Sequence, residues 1–400
     1  MNATFIATGS ELLDFKLNRY TPLFSQKLSK IGIKLKYEIT VRDNPDDLIK
    51  SINFVISNSD IIIICGGLGP TFDDHTRNVI SKITGKKLIF SKEIEKIFHQ
   101  KYGKSLKPNI LDQCMVIDGA KIIENKNGTA FGEIIEYNKK TIILLPGPQF
   151  EWEPMWGKIE KYLLKKIKNP ITTYRFKLAD IKEVELENLL KPVIEKLKLD
   201  FTILAGANIC EFIIRGEKKN KKILEDAKEK IEKIVSQNLY GYDDEILEKV
   251  LGEILLRKNK TLSTAESCTS GLLAHKITNI PGSSLYFKGG VNGYSNEIKE
   301  KILKVKSETL KKYGAVSKET AFEMSKNVKE IFETNLSISI TGIAGPTGGT
   351  PEKPVGLVFF GITSENITQT YKRTFLNRDR SYIKEASANT AMFLLYKMIK

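Results

Sequence analysis

Strand-like segments that run directly into glycine-containing turns recur in both halves of this 400-residue chain. Asp60–Cys65 contains four consecutive isoleucines and is followed by Gly66, and Ser337–Thr341 is followed by Gly342. Segments with helical periodicity, such as Pro45–Asn58, lie between such strands. Strands that alternate with helices form a mostly parallel sheet with helices on both faces. Sheets of this kind bind their ligands in the loops beyond the carboxyl ends of the strands.

The pattern predicts three domains of the α/β and α+β classes. Residues 1–168 and 241–400 are each predicted to form a three-layer α/β domain with a mostly parallel sheet, and residues 169–240 a small α+β domain that joins them. The predicted strands are Thr4–Ala7, Lys34–Val41, Asp60–Cys65, Thr141–Leu145, Thr172–Leu178, Cys210–Arg215, Thr261–Thr264, Ser337–Thr341 and Val355–Ile362. The predicted helices are Pro22–Ile31, Pro45–Asn58, Asp74–Thr84, Glu183–Leu197, Lys222–Ser236 and Asp243–Arg257. Pro192 is expected to kink or split the helix that contains it.

The amino-acid composition argues against several classes of function. Lys and Arg exceed Asp and Glu by 63 to 48, but the excess is lysine spread over the whole chain, which is typical of a solvated surface. The four cysteines form no C-x-x-C pair, which favours a reduced, cytoplasmic protein. The three histidines form no cluster, which argues against a zinc site and against Ser-His-Asp chemistry. We expect no signal peptide, because the first residues have no basic region ahead of an apolar core. We expect no membrane-spanning segment, because the apolar runs are short.

A glycine-rich segment in the first predicted domain follows a buried strand and enters a helix. Its glycines, Gly66, Gly67 and Gly69, would let backbone N–H groups approach a phosphate, beside the positive end of the next helix. Two further segments, Thr8–Glu11 and Arg42–Asn44, also follow strands. We therefore expect all three segments at one edge of the sheet.

Two carboxylates in this segment are candidate metal ligands. Asp73 and Asp74 stand where a divalent cation that bridges phosphates would need oxygen donors. The alternative is that Asp73 or Thr71 only caps the helix.

The last predicted domain carries a serine in the same kind of turn. Ser267 follows the strand Thr261–Thr264 and precedes a helix, so backbone N–H groups that can stabilise an oxyanion are expected beside its hydroxyl. A serine nucleophile needs a base, and Lys299, near the start of a helix capped by Ser295, would serve if burial lowered its pKa. In the alternative, Lys299 is a solvated lysine and Ser267 only a helix cap. Cys268 is a rival nucleophile, but without a histidine pattern its thiol is expected to pack in the helix.

A second glycine-rich loop and one arginine complete the candidates in the last domain. The loop from Thr341 through Gly342 and Gly345 can present N–H groups to a phosphate or a carbonyl, or be merely flexible. Arg380 stands out in a lysine-rich chain because a guanidinium fork matches a phosphate. An ion pair on a helix surface is the alternative for Arg380.

Together these segments resemble the CinA (competence/damage-inducible protein A) family. The motifs of residues 1 to about 165 are Gly9–Leu13, Asp43-Asn44, Gly66–Thr71, Asp73-Asp74, Thr76-Arg77, Gly128–Ala130 and Leu145–Gly147. The motifs of residues 245–400 are Thr264–Thr269, Pro281–Ser284, Tyr294–Lys299, Gly314–Ser317, Thr341–Pro346, Glu352–Gly356 and Asp379-Arg380. The resemblance implies a molybdopterin-binding-like first domain, a CinA carboxyl-terminal last domain and a homodimer.

For the last domain the resemblance implies nicotinamide-nucleotide amidohydrolase activity without a cofactor. Nicotinamide mononucleotide and water would give nicotinic acid mononucleotide and ammonia. Ser267 would be the nucleophile, Lys299 the general base, Tyr294 a helper in proton relay, Thr341 a support for the amide or oxyanion and Arg380 the phosphate ligand, with Gly342 and Gly345 in the substrate loop. The chain departs from the family pattern at Ser270, Asn292 and Lys384, and Ser270 is expected to tighten the space near the nucleophile.

For the first domain the resemblance implies a metal-dependent ADP-ribose pyrophosphatase that yields AMP and ribose 5-phosphate. Asp73 and Asp74 would hold the divalent cation. The substrate would be bound by Glu11, Gly66, Gly67, Gly69 and Thr71. Asn78 stands where the family usually has Glu.

Two functions without nucleotide turnover stay open. One is a competence-related protein that binds nucleic acid or a partner through the basic middle segment, which salt-dependent binding would favour. The other is a molybdopterin-binding protein, by analogy of fold. The motifs in residues 245–400 argue against either of these functions as a full description of the protein. We therefore expect small nucleotides as partners and not nucleic acid.

Overall fold

A computed structural model describes residues 1–71, 73–103, 105–168, 170–197, 199–365 and 367–400, without the side chain of Lys218. Phe72, in the first glycine-rich segment, and Asn169, where the middle domain is predicted to begin, lie outside the described residues. The chain divides into two compact units, Met1–Thr172 and Thr173–Lys400.

The first unit alternates strands and helices. Its strands are β1 (Asn2–Thr8), β2 (Lys34–Val41), β3 (Ile61–Cys65), β4 (Leu88–Phe90), β5 (Met115–Ile117), β6 (Lys121–Ile123), β7 (Gly132–Tyr137) and β8 (Lys140–Leu145). Its helices are α1 (Glu11–Asp14), α2 (Tyr20–Lys30), α3 (Pro45–Ile56), α4 (Thr76–Thr84), α5 (Lys92–Tyr102), α6 (Pro108–Asp112), α7 (Gln149–Trp152) and α8 (Trp156–Leu164).

The main sheet of the first unit has the strand order β2-β1-β3-β8-β7-β6. Strands β2, β1, β3 and β8 are parallel neighbours, and β7 and β6 extend the sheet in antiparallel fashion. All five residues of β3 are buried, because successive side chains point to opposite faces and helices cover both. Ile63 packs in the core that contains Phe24 of α2. Ile62 packs in the core that contains Ile52 of α3. The unit is therefore a three-layer α/β domain.

The second unit contains the remaining elements, except that the first two residues of β9 belong to the first unit. Its strands are β9 (Ile171–Ala179), β10 (Asp200–Ala205), β11 (Ile209–Glu217), β12 (Leu239–Tyr242), β13 (Leu262–Glu266), β14 (Phe287–Asn292), β15 (Leu336–Gly342), β16 (Leu357–Thr363) and β17 (Thr368–Thr374). Its helices are α9 (Glu183–Leu197), α10 (Lys221–Val235), α11 (Leu247–Arg257), α12 (Leu272–Thr278), α13 (Asn296–Lys301), α14 (Ser307–Tyr313), α15 (Lys318–Ile331) and α16 (Arg380–Ile399).

Two sheets organise the second unit. The first has the order β10-β11-β9-β12 and packs against α9 and α10 through one apolar core that includes Leu190 and Ile231. The other has the order β14-β13-β15-β16-β17, in which β14, β13 and β15 are parallel and β16 and β17 antiparallel. Helix α16 covers one face of this sheet, and α15 contributes Met324 and Val328 to a separate core that includes Ala265 of β13. The carboxyl ends of β13 and β15 therefore lie side by side.

The α/β class with mostly parallel sheets is confirmed, whereas the bounds of the three predicted domains stay predictions. The helix predicted from Asp243 is wrong at its start, because Asp243 adopts a left-handed backbone (φ +51°) and donates its N–H to the Arg175 carbonyl. Helix α11 begins only at Leu247. Pro192 does not split α9, which runs through it without interruption. Within the described ranges, no helix has the length and apolarity needed to cross a membrane.

Candidate active site

Ser267 lies in the turn between β13 and α12, at the carboxyl edge of the sheet. Its N–H donates to the Ile340 carbonyl of β15 at 2.9 Å, which extends the parallel ladder by one residue. Ser270 (φ +51°) and Gly271 (φ +90°) then adopt left-handed conformations, and α12 follows directly. The side chain of Ser267 is thereby held at the edge of the sheet and is almost buried, with 8% exposed.

The first turn of α12 is capped by Glu266 and not by Ser267. The carboxylate of Glu266 accepts hydrogen bonds from the N–H groups of Gly271, Leu273 and Ala274 at 2.9, 3.0 and 2.8 Å. These are the groups that a helix-capping serine would bind. The interpretation of Ser267 as a mere cap is therefore wrong.

Lys299 is a buried lysine beside the serine hydroxyl. Its Nζ lies 3.1 Å from Ser267 Oγ and donates to the carbonyls of Gly293 at 2.6 Å and Tyr294 at 3.3 Å. Helix α13 places it there and begins as predicted, with Ser295 Oγ accepting from a backbone N–H of the first turn. Only 1% of Lys299 is exposed, so the alternative of a solvated lysine is wrong.

Burial sets the protonation of both Lys299 and Cys268. Because burial disfavours the charged ammonium, it lowers the pKa of Lys299 to about 8. A useful fraction of the amine is then neutral near neutral pH. Burial raises the pKa of Cys268 to about 12, so its thiol stays protonated and is a poor nucleophile. The arrangement favours Ser267 over Cys268.

Two backbone donors stand next to the hydroxyl. In the described part of the chain, the N–H groups of Cys268 and Thr269 donate to no other residue. The N–H of Ser270, by contrast, is bonded to the Ser267 carbonyl. The Cys268 N–H contacts its own thiol sulfur, and both N–H groups are the kind of donor that an oxyanion requires.

A cavity of about 190 Å³ opens over this group. It is lined by Ser267, Cys268, Tyr294, Asn296, Lys299, Ala315, Val316, Thr341, Gly342, Ala344 and Arg380. The structure thus brings together the serine turn, the lysine helix, the second glycine-rich loop and the arginine. Asn296 was not singled out from the sequence, although it follows the capping Ser295. Ser270 does not line the cavity, so the expectation that it tightens this space is wrong; its side chain is exposed.

Thr341 is fully buried in the cavity wall. Its Oγ1 donates to the Ala315 carbonyl at 2.7 Å. The hydroxyl proton is therefore engaged, and the oxygen remains available as an acceptor.

Arg380 bridges two groups at the mouth of the cavity. Its Nη1 donates to the Gly345 carbonyl at 2.7 Å and its Nη2 to the Tyr294 hydroxyl at 3.1 Å. Gly345 thus supports Arg380 and does not itself line the cavity. The Tyr294 hydroxyl makes no hydrogen bond to Ser267 or Lys299 among the described contacts, so its role in proton relay stays a prediction.

The glycine-rich segment of the first unit packs tightly against its neighbours. A Cβ on Gly66 (φ +108°) would lie 2.3 Å from the Thr8 carbonyl, and one on Gly67 (φ +66°) 2.3 Å from Thr76 Oγ1. Thr8 Oγ1 in turn donates to Asp43 at 3.0 Å. The three predicted segments therefore meet at one edge of the sheet, as expected.

Asp73 and Asp74 converge on one hydroxyl. Thr71 Oγ1 lies 2.5 Å from a carboxylate oxygen of each, and this hydrogen bond lowers the pKa of Asp73. Helix α4 begins after His75 without a side-chain cap, so the capping interpretation of Asp73 and Thr71 is wrong. The described residues hold no group of three His, Cys, Asp or Glu side chains able to bind a metal.

Two predicted substrate residues flank this edge. A Cβ on Gly69 would lie 2.6 Å from Asp74 Oδ2, so the glycine makes room for the carboxylate. The Glu11 carboxylate folds back over Gly9 and lies 4.0 Å from Lys16 Nζ.

A buried ion pair supports the same loop. Arg77 Nε donates to Glu133 Oε1 at 2.6 Å, and Arg77 Nη1 to the Leu68 carbonyl at 3.0 Å. Glu133 is completely buried, and burial raises its pKa despite the guanidinium. Glu133 was missed from the sequence, because β7 carries no local signal for this partner. Asn78 is exposed on α4.

Comparison with known proteins agrees with this architecture. The family model described as "CinA C-terminal domain" matches residues 244–399, and the one described as "Probable molybdopterin binding domain" matches residues 4–166. A CinA-like protein of Thermosipho melanesiensis is 39% identical over 98% of both chains. A CinA-like protein of Thermotoga maritima is 37% identical over all of this chain and 98% of its own.

A solved structure, that of the competence/damage inducible protein CihA of Agrobacterium tumefaciens, covers 38% of this chain and 94% of its own. It is 35% identical, with a TM-score of 0.38. Because the relatives match over nearly their whole length, the chain belongs to the CinA family.

Proposed function

We propose that this member of the CinA family is a nicotinamide-nucleotide amidohydrolase. Its last domain would convert nicotinamide mononucleotide and water to nicotinic acid mononucleotide and ammonia. The observation that carries the proposal is the contact between Lys299 Nζ and Ser267 Oγ inside a small cavity. A buried amine with a lowered pKa is a suitable base for a serine nucleophile where no histidine is at hand.

The reaction begins with proton transfer from Ser267 to the neutral amine of Lys299. Oγ then attacks the carboxamide carbon, and the N–H groups of Cys268 and Thr269 stabilise the oxyanion that forms. The Lys299 ammonium returns the proton to the leaving nitrogen, which departs as ammonia. Water, deprotonated by Lys299, hydrolyses the acyl-enzyme and regenerates the serine.

Thr341 and Arg380 would select the substrate. The Thr341 oxygen, whose proton is engaged by Ala315, can accept a hydrogen bond from the carboxamide N–H₂. In this structure the Arg380 guanidinium donates to the Gly345 carbonyl and the Tyr294 hydroxyl, and it can donate to a phosphate instead. A nucleotide with an amide at one end and a phosphate at the other fits this pair of groups.

A second activity is supported for the first domain, namely metal-dependent cleavage of ADP-ribose to AMP and ribose 5-phosphate. The supporting observation is the convergence of Asp73 and Asp74 on Thr71 beside the Gly66–Gly67 turn. The donor set fits a hard divalent cation, because such cations commonly bind one or two carboxylates together with substrate phosphates. Asp73 and Asp74 would hold the cation, which would polarise the pyrophosphate when bound. The glycine N–H groups and Thr71 would bind the phosphates, with Glu11 beside them.

Release of AMP from ADP-ribose, with and without Mg²⁺, tests this second activity. The Asp73→Asn and Asp74→Asn double variant should lose metal-dependent release, whereas Asp14→Asn, on the same unit, should retain it. Unchanged release by the double variant would refute the assignment of the cation. Binding of molybdopterin without any AMP release would favour a molybdopterin-binding protein instead.

The homodimer is a further proposal from the family resemblance, and the cytoplasmic location is a further proposal from the cysteine pattern. Sedimentation of the full chain tests the first, and a mass of one chain at all concentrations would contradict it. Salt-dependent binding of DNA or RNA without nucleotide turnover would favour a nucleic-acid-binding protein.

A further inference from the structure

Glu266 is a buried carboxylate directly before the candidate nucleophile. It is the last residue of β13 and only 1% exposed. Oε2 accepts from Gly271 N at 2.9 Å and Leu273 N at 3.0 Å, and Oε1 accepts from Ala274 N at 2.8 Å. The described residues provide no ion pair for Glu266, so backbone N–H groups alone compensate its burial.

Burying a carboxylate is costly, and a sequence retains one only where its hydrogen bonds are made. A capping role by itself would need no buried charge, since an exposed Ser, Thr, Asp or Asn caps a helix well. In this turn, however, a serine follows Glu266 directly and would compete for the same N–H groups. The carboxylate occupies them, and Ser267 Oγ is left with Lys299 as its partner.

We propose that Glu266 is a positioning residue that keeps the Ser267 hydroxyl out of the helix cap and directed at Lys299. The expected effect of Glu266 on turnover rests on the proposed amidase function. The expected effect of Glu266 on the reactivity of the Ser267 hydroxyl does not. Glu266 does not itself line the cavity, and no hydrogen bond or ion pair among the described contacts joins it to Lys299, so it acts through the turn that carries Ser267.

The variant Glu266→Gln tests the inference. The glutamine side chain has only one oxygen that can accept hydrogen bonds, and its N–H₂ group faces a backbone N–H with which it forms no hydrogen bond. At least one backbone N–H at the start of α12 therefore loses its acceptor and can bind the Ser267 hydroxyl instead. We expect kcat for nicotinamide mononucleotide to fall at least about tenfold, since small displacements of a nucleophile cost one to two orders of magnitude. KM should stay within about threefold, because the substrate contacts are not altered.

Glu323→Gln is the matched control. Glu323 also accepts a backbone N–H, that of Lys306 at 2.7 Å, and the Thr309 hydroxyl at 2.6 Å. It contacts the start of α14 in the same unit but lies outside the cavity lining. Both variants should lower Tm, whereas only Glu266→Gln should lower kcat at temperatures where both are folded. Should Glu266→Gln fail to fold, Glu266→Asp takes its place, because it keeps the charge but cannot reach all three N–H groups.

Labelling of Ser267 by an organophosphorus fluoride provides a readout independent of the substrate. Ser267 Oγ forms a bond to phosphorus, fluoride leaves and Lys299 takes the serine proton; mass spectrometry of the intact chain follows the rate. Slow labelling of Glu266→Gln against parent-like labelling of Glu323→Gln is the expected result. Parent-like kcat and labelling in Glu266→Gln would overturn the inference.

The outcomes separate this inference from the proposed function. A parent that labels at Ser267 in a Glu266-dependent manner but leaves nicotinamide mononucleotide intact refutes the substrate and supports the positioning role. A parent that neither labels nor turns over overturns both, because Ser267 is then no nucleophile to position.

Discussion

Lys299 Nζ lies 3.1 Å from Ser267 Oγ, although the two residues are 32 positions apart. The serine comes from the end of the parallel strand β13, and the lysine from the short helix α13 that follows the neighbouring strand β14. Both side chains are buried, so their contact is made in a low dielectric, where the charged ammonium is disfavoured. In the proposed amidase, this pair would supply a nucleophile and a base without histidine.

The rate of the amidase should depend on the protonation of Lys299. The neutral amine is the active form and the pKa of Lys299 is about 8, so kcat/KM should rise about tenfold per pH unit below pH 8 and level off above it. Initial rates with nicotinamide mononucleotide between about pH 6 and pH 9 measure this, in parallel with Tm at each pH. A flat profile over that range would show that Lys299 is not the base.

Replacing Ser270 by glycine should stabilise the second unit. Ser270 holds a left-handed backbone (φ +51°) with its side chain exposed, and a glycine adopts this conformation without strain. We expect a gain of about 1 kcal/mol and a rise in Tm of about 2–4 °C, with activity unchanged. Ser270→Ala is the control, because its Cβ retains the strain. Equal Tm values for the two variants would contradict the explanation.

Arg380→Lys should weaken the binding of a phosphorylated substrate. The guanidinium now holds the Gly345 carbonyl and the Tyr294 hydroxyl simultaneously, and a lysine cannot reproduce this fork. KM for nicotinamide mononucleotide should rise about tenfold with little change in kcat. Arg378→Lys is the matched variant, since Arg378 stacks on the Tyr382 ring at 4.6 Å and does not line the cavity. An equal effect of the two variants would rule out Arg380 as the phosphate ligand.

Glu133→Gln should destabilise the first unit strongly. It leaves the buried Arg77 without its carboxylate partner, and breaking a buried ion pair from one side costs about 3–5 kcal/mol. Chemical denaturation followed by the fluorescence of Trp152 and Trp156 measures the loss. Asp14→Asn, which removes an exposed partner of Arg42, should shift the midpoint very little. Similar shifts for both variants would mean that the Arg77–Glu133 pair does not anchor the loop.

Local patterns in the sequence predicted some of the central strands and amphipathic helices, but not helices α5, α8 and α15 or strands β7 and β14. Lys34–Val41 and Glu183–Leu197 have the predicted bounds, because continuous apolar periodicity marks them and turn residues bound them. The helix cap at Ser295 was also predicted from the neighbouring sequence alone, and the structure contains it. The short strands β4, β5 and β6 were not predicted, because three-residue strands depend on pairing across the chain.

The details of the site depend on tertiary contacts that no local pattern contains. Lys299 looks like any other lysine until α13 buries it beside Ser267. The capping role of Glu266 and the pairing of Tyr294 with Arg380, 86 positions away, likewise arise only in the folded chain. Motif resemblance named the candidate residues, and the structure shows which of them lie together around one cavity.

The most direct test of the central claim is mass-resolved incubation with nicotinamide mononucleotide of the parent chain, Ser267→Ala and Cys268→Ala. We predict conversion to nicotinic acid mononucleotide and ammonia by the parent and by Cys268→Ala, and a loss of at least about a thousandfold in Ser267→Ala. Conversion by Ser267→Ala at the parent rate would contradict the assignment of the nucleophile. No conversion by the parent would contradict the proposed amidase itself.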